Sequence, residues 1–183
     1  MKYPYLAFSF LTIFGLSLAS TQDNNEVLNN QQVRHHNKVI KESAFNSKMI
    51  KTIGNFDNGK REGVFVYIDD KGKLIAQENW SNDKLEGVQV TFHNTGKIHK
   101  EESYRNGVLD GPFRINYKSG KTQQTGQYKN GKKDGEIIWY YNSGEKNIIY
   151  TYKNNVLDGP TKTFSKEGEV IQQGLYENGQ KIN

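Results

Sequence analysis

Gln123-Gln124-Thr125-Gly126-Gln127-Tyr128-Lys129-Asn130-Gly131-Lys132-Lys133-Asp134-Gly135-Glu136-Ile137-Ile138-Trp139-Tyr140-Tyr141-Asn142-Ser143-Gly144 reads as two strands and two turns. Asn130-Gly131 is a strong hairpin signal, because both residue types tolerate a positive φ. Asp134-Gly135 does the same work at the far end of that loop. Asn142-Ser143-Gly144 makes a second, shorter turn, again with glycine where a positive φ is expected. The segments between turns are about six to eight residues long and rich in Tyr, Phe, Ile, Val and Thr, which suits strands. They leave no room for a helical crossover, so neighbours must pair antiparallel.

Working outward, the same unit recurs along the chain. Gly63, Gly87, Gly111, Gly135 and Gly159 are each 24 residues apart. Gly72, Gly96, Gly120, Gly144 and Gly168 follow in the same period. So do Phe56, Trp80, Tyr104, Tyr128, Tyr152 and Tyr176, and Asn58, Asn82, Asn106, Asn130, Asn154 and Asn178. An acid precedes each first glycine: Glu62, Glu86, Asp110, Asp134 and Asp158. These columns predict an all-β fold, an elongated single-layer antiparallel β-meander of about eleven strands built from hairpin repeats. Strands ~4.8 Å apart advance the array by about 9.6 Å per unit, or on the order of 50 Å in all. Equivalent side chains then stack in files, and stability resides in contacts between neighbours. Gly54, Gly126 and Gly174 fall within strands, where a ring from a neighbour can lie over bare backbone.

Composition agrees with a thin sheet. Hydrophobic residues make up 34% of 183, against roughly 45–50% in an ordinary globular domain. An antiparallel sheet with one wet face accounts for this, and a thick two-layer core does not. The absence of cysteine excludes a disulfide framework, thiol catalysis, cysteine-based zinc sites and a lipid anchor on cysteine.

Three segments follow. Residues 1–19 read as a signal peptide: Lys2, then the uncharged apolar run from Leu6 to Ala19, with cleavage expected after Ala19. The run falls short of the ~20 residues of a spanning helix, which leaves an uncleaved anchor as the alternative. Residues 20–48 read as a polar linker rich in Asn and Gln. Within it Val33 to Ile40 forms at most one short element, and the stretch to Phe45 is a candidate cover for one sheet edge. Residues 49–183 form the repeat domain, five full units and a C-terminal half unit. A signal peptide implies a secreted or periplasmic protein.

Tyr104-Arg105-Asn106-Gly107-Val108-Leu109-Asp110-Gly111-Pro112-Phe113 and Tyr128-Lys129-Asn130-Gly131-Lys132-Lys133-Asp134-Gly135 resemble MORN repeats in their bacterial variant. Departures occur at Asp83 and Asn155, which replace the glycine after Asn. Others are the scarcity of proline (Pro112 and Pro160 alone follow the glycine), Ile68, and Asn116 followed by Tyr117. The resemblance implies a non-catalytic sheet used for protein or lipid contacts. Proteins similar to it include YwqK-type antitoxin components and others with a generic membrane-binding label. An intracellular antitoxin role conflicts with a signal peptide, whereas an immunity-like role against an exported toxin does not.

The residues themselves offer no catalytic constellation, and no cofactor or metal is expected. Adjacent His35-His36 point different ways on a strand or helix, as do Asp69-Asp70 and Glu101-Glu102. His93 and His99 flank one turn and can converge, as a two-histidine site or as solvated strand ends. The acid file reads as turn chemistry, carboxylates bonded to backbone, or as a row of cation ligands without a calcium-type loop. The ring file is the candidate binding surface, either packed against glycine and apolar neighbours or presenting faces to a long ligand. Tyr67, Phe92, Tyr117, Tyr140, Tyr141 and Phe164 are candidates to line the other rim. Lys60-Arg61, Lys84 and Lys132-Lys133 gather at hairpin tips. A net charge of +5 with interleaved acids is too mild for a nucleic-acid partner. The expected partner is a protein, with an anionic lipid or glycan as the alternative, and homodimerisation through the C-terminal edge strand is a further expectation.

Overall fold

The computed structural model describes residues 36–45 and 48–183, with side chains from residue 50 onward. The signal peptide and the side chains of His35-His36 lie outside the described residues. The strands are β1 (His36–Phe45), β2 (Lys48–Asp57), β3 (Lys60–Asp69), β4 (Leu74–Ser81), β5 (Lys84–Leu85), β6 (Gly87–Phe92), β7 (Ile98–Arg105) and β8 (Val108–Asn116). They continue with β9 (Thr122–Lys129), β10 (Lys132–Lys133), β11 (Gly135–Tyr140), β12 (Lys146–Lys153), β13 (Val156–Phe164), β14 (Val170–Glu177) and β15 (Gln180–Lys181). All join one antiparallel sheet in sequence order, with β5 and β10 folded back as tips on β4 and β9.

The strand number exceeds eleven for three reasons, one being that the chain turns back after Asn178-Gly179 to add β15 to β14. Pairing starts before the repeats, because β1 lies within the polar segment 20–48 and pairs along its whole length with β2. The acid-glycine step also breaks a strand in two units, separating β5 from β6 and β10 from β11. Gly87 and Gly135 sit there at φ 79° and 92°, a bulge that re-aims the chain without losing the sheet.

Turn chemistry explains the regularity. Asn130 (φ 50°) and Gly131 (φ 78°) take the paired left-handed conformation of a type I′ hairpin. In the second turn Tyr141 N–H donates to Glu145 O at 2.8 Å and Gly144 N–H to Tyr141 O at 2.9 Å. This is a three-residue loop that needs glycine at its left-handed position.

The buried apolar side chains are Phe65, Phe113 and Ile137, the last fully enclosed, and Gln89 and Thr161 are buried with them. These positions form one 24-residue column. Register places them in a single row across the sheet: Gly54, Phe65, Glu78, Gln89, Glu102, Phe113, Gly126, Ile137, Tyr150, Thr161, Gly174. The Phe65 ring lies over Gly54, and Phe113 with Ile137 close over Gly126, so neither glycine has room for a Cβ. Gly174 has no ring above it; Thr161, Lys181 and Asn183 are its neighbours. At the C-terminal edge Ile182 N–H donates to Leu175 O at 2.9 Å and Leu175 N–H to Asn183 O at 3.2 Å. Part of the expected dimer edge is therefore paired within the chain, while Val170 and Ile171 beyond it are exposed.

Candidate functional site: the ring-bearing face

The hairpin tips are joined into a ladder. Gly107 N–H donates to Leu85 O at 2.8 Å, Gly131 N–H to Leu109 O at 2.7 Å and Gly179 N–H to Leu157 O at 2.8 Å. The acid file completes it. Glu62 Oε2 accepts from Asn82 N–H at 2.9 Å and Glu86 Oε2 from Asn106 N–H at 2.8 Å, with longer equivalents at Asp110 and Asp134. These four carboxylates are thus turn chemistry, as one of the two readings held, except that each serves the next unit's turn instead of its own; the fifth, Asp158, faces Lys153 Nζ at 4.0 Å. Asp83 and Asn155 keep the left-handed conformation (φ 64° and 72°) without glycine. Their side chains accept from Arg61 N–H at 2.9 Å and Lys133 N–H at 2.7 Å. A cation in one tip is followed by Asp or Asn in the next, and Leu85, Leu109 and Leu157 are followed by glycine.

The ring file stands beside this ladder, on the face that carries the buried row. All six rings are half-buried. Trp80, Tyr104, Tyr128, Tyr152 and Tyr176 each oppose a glycine of the preceding unit: Gly63, Gly87, Gly111, Gly135 and Gly159. On the hairpin side they pair with Leu85, Leu109, Lys133, Leu157 and Lys181, and Phe56 pairs with Arg61. The sequence-expected binding residues and turn glycines are therefore brought together in one strip, five of the rings directly across the ladder from a glycine. The Arg61 guanidinium carbon lies 3.3 Å from the Trp80 ring centre and Lys133 Nζ 5.5 Å from that of Tyr152. Phe56 and Trp80 pack edge-on against Phe65, and Tyr128 lies 4.9 Å from Phe113 between ring centres.

Four consecutive segments, residues 85–106, 109–130, 133–154 and 157–178, match the family model described as MORN repeat variant. This is a MORN repeat protein. Repeats of this family are non-enzymatic scaffolds that contact proteins or membranes. No curated protein matches the chain.

Within the MORN array the row across the face changes character at Glu78, Gln89 and Glu102. Glu78 Oε2 accepts hydrogen bonds from Tyr67 OH at 2.5 Å and from Trp80 Nε1–H at 3.0 Å. Burial, then the hydrogen bond and charge of Glu78, push the Tyr67 phenol well above its ordinary pKa. Glu102 pairs with Lys100 Nζ at 2.8 Å, and its carboxylate is 14% exposed. Burial and the Glu102 charge also raise the Tyr104 and Tyr128 phenols. Gln89 turns its amide to the backbone of Asn79, accepting from N–H at 2.8 Å and donating to O at 3.1 Å. The column of Phe65, Gln89, Phe113, Ile137 and Thr161 escaped sequence reasoning. Its one signal is a position two residues after each acid-bound glycine, and its chemistry is too mixed to stand out.

The late-strand ring set divides. Tyr67 belongs to the Glu78 cluster. Tyr117 OH donates to Tyr140 O at 2.6 Å and Tyr141 OH to Phe164 O at 2.8 Å, tying consecutive units at the other rim. His93 Nε2 takes the same place against Asn116 O at 2.8 Å. The His93 and His99 rings do converge, 4.4 Å between centres. Burial, with His93 and Lys100 nearby, lowers the His99 pKa. Among the described residues no three metal-ligating side chains come together.

Proposed function

We propose that this protein is an exported, non-catalytic scaffold that binds a protein partner along the ring-bearing face. The observation that carries the reading is the strip of six half-buried rings standing one per unit along one face of the sheet. Tyr and Trp in such places combine an apolar body with a polar tip and suit protein contacts. Export rests on the pattern of residues 1–19, and a mature chain beginning at Ser20 in the envelope or medium tests it. Crosslinked capture from the envelope fraction tests the contact surface. Tyr128→Ala with Tyr152→Ala is expected to weaken capture more than Lys132→Ala with Lys133→Ala. The reverse order would remove the ring face as the docking surface.

A second reading has its own support. Val108 and Val156 are exposed at the tips, beside Lys129, Lys132 and Lys153 of neighbouring turns. Cations interleaved with apolar groups suit an anionic lipid or glycan surface. Cosedimentation with anionic vesicles that fades at high salt is its expected signature. Homodimerisation is proposed for the exposed Val170–Ile171 part of the edge, and light scattering at high concentration decides it.

A further inference from the structure

We infer that the patch around Glu78 takes one cationic side chain, an arginine or lysine, from the protein partner. The inference rests on the scaffold reading and names the chemistry of its contact. One carboxylate of the patch has no ion-pair partner among the described residues. Arg61 Nε is held by Asp83 Oδ1 at 3.0 Å and Lys100 by Glu102 at 2.8 Å. Among the described residues Glu78 has neutral donors alone, the Tyr67 hydroxyl and the Trp80 indole. Of these three carboxylates Glu78 alone has no ion-pair partner among the described residues, in a chain whose net charge is +5. A half-buried carboxylate held by neutral donors is a strong acceptor for a charge-assisted hydrogen bond.

The surroundings suit a cation with a flat face. Glu78 and Glu102 stand on either side of buried Gln89 in the same row, about 9.6 Å apart by strand spacing. Tyr104 lies close enough to feel the charge of both carboxylates. Its ring and that of Tyr128 have no cation of the chain over them among the described residues, whereas Trp80 and Tyr152 are covered. The Thr91 hydroxyl, two residues from Gln89 on the same face, is buried without a partner and is a spare acceptor. A guanidinium can bond the Glu78 carboxylate and stack on a phenol at once.

The test follows the indole N–H resonances while the full chain is titrated with acetyl-Gly-Arg-Gly-amide at low salt. The peptide with citrulline in place of arginine is the neutral control. The arginine peptide is expected to shift the Trp80 signal saturably and leave Trp139 still, and citrulline is expected to do neither. Glu78→Gln should weaken binding at least tenfold. Tyr104→Leu, which leaves the Glu78 bonds in place, should weaken it several-fold. No shift with arginine, equal shifts with citrulline, or an unchanged titration in Glu78→Gln overturns the inference. If capture of the partner survives Glu78→Gln but is lost with Tyr128→Ala and Tyr152→Ala, this inference falls while the scaffold stands. If neither variant affects capture, the scaffold reading falls.

Discussion

The stretch Phe113–Gly126–Ile137 and the stretch Glu78–Gln89–Glu102 occupy the same row of the same sheet face, yet their chemistry is opposite. In the first, glycine lets Phe113 and Ile137 close over backbone, and Ile137 loses all contact with water. In the second, glutamates stand in the glycine column and the middle residue spends its amide on Asn79. The backbone register barely notices, because turns and the tip ladder hold it. In a repeat sheet stabilised by neighbour contacts, one part of a row can supply burial while another is left free for partners.

Breaking the apolar stretch should have the largest effect. Ile137→Ala removes an enclosed side chain whose site is walled by Phe113 and Gly126, and is expected to cost about 2–5 kcal/mol in denaturant unfolding. A loss below about 1 kcal/mol would mean that the row is not the core. Gly126→Ala adds a methyl where Ile137 and Phe113 already sit. The expected cost is about 1–3 kcal/mol, while the same change at Gly174, which has no ring above it, should cost less. The smallest effect lies at the tip bordering the polar stretch. Backbone and side-chain bonds from Arg61 hold the Asp83 carboxyl below its ordinary 3.8. A depressed carboxyl pKa stabilises the fold above the unfolded value and loses that contribution as pH falls through the folded value. Asp83→Gly should therefore remove a small part of the acid sensitivity below about pH 4, visible as a smaller drop in Tm between pH 7 and pH 3.

Much of this was legible in advance. The Asn-Gly and acid-glycine pairs specify their turns locally, because few residue types accept a positive φ. The ring file was legible as a column, but its environment was not. Five of the six rings oppose a glycine 17 positions earlier, such as Gly63 for Trp80, and that pairing depends on strand register across the second turn. β1 was legible as one of two readings of its segment, a polar linker or a cover for a sheet edge, and its pairing with β2 bears out the second.

By itself the sequence determined the period, the turn types, the antiparallel meander and membership of the MORN repeats, since each depends on residues close together in the chain. Only the tertiary structure decided which column is buried, from which unit's backbone the acids accept hydrogen bonds, and that among the described residues Glu78 has no ion-pair partner. Burial, and a pair such as Arg61–Asp83, are set by residues that lie far apart in the chain and meet across strands, and a one-dimensional pattern does not say which of several equally spaced columns faces inward.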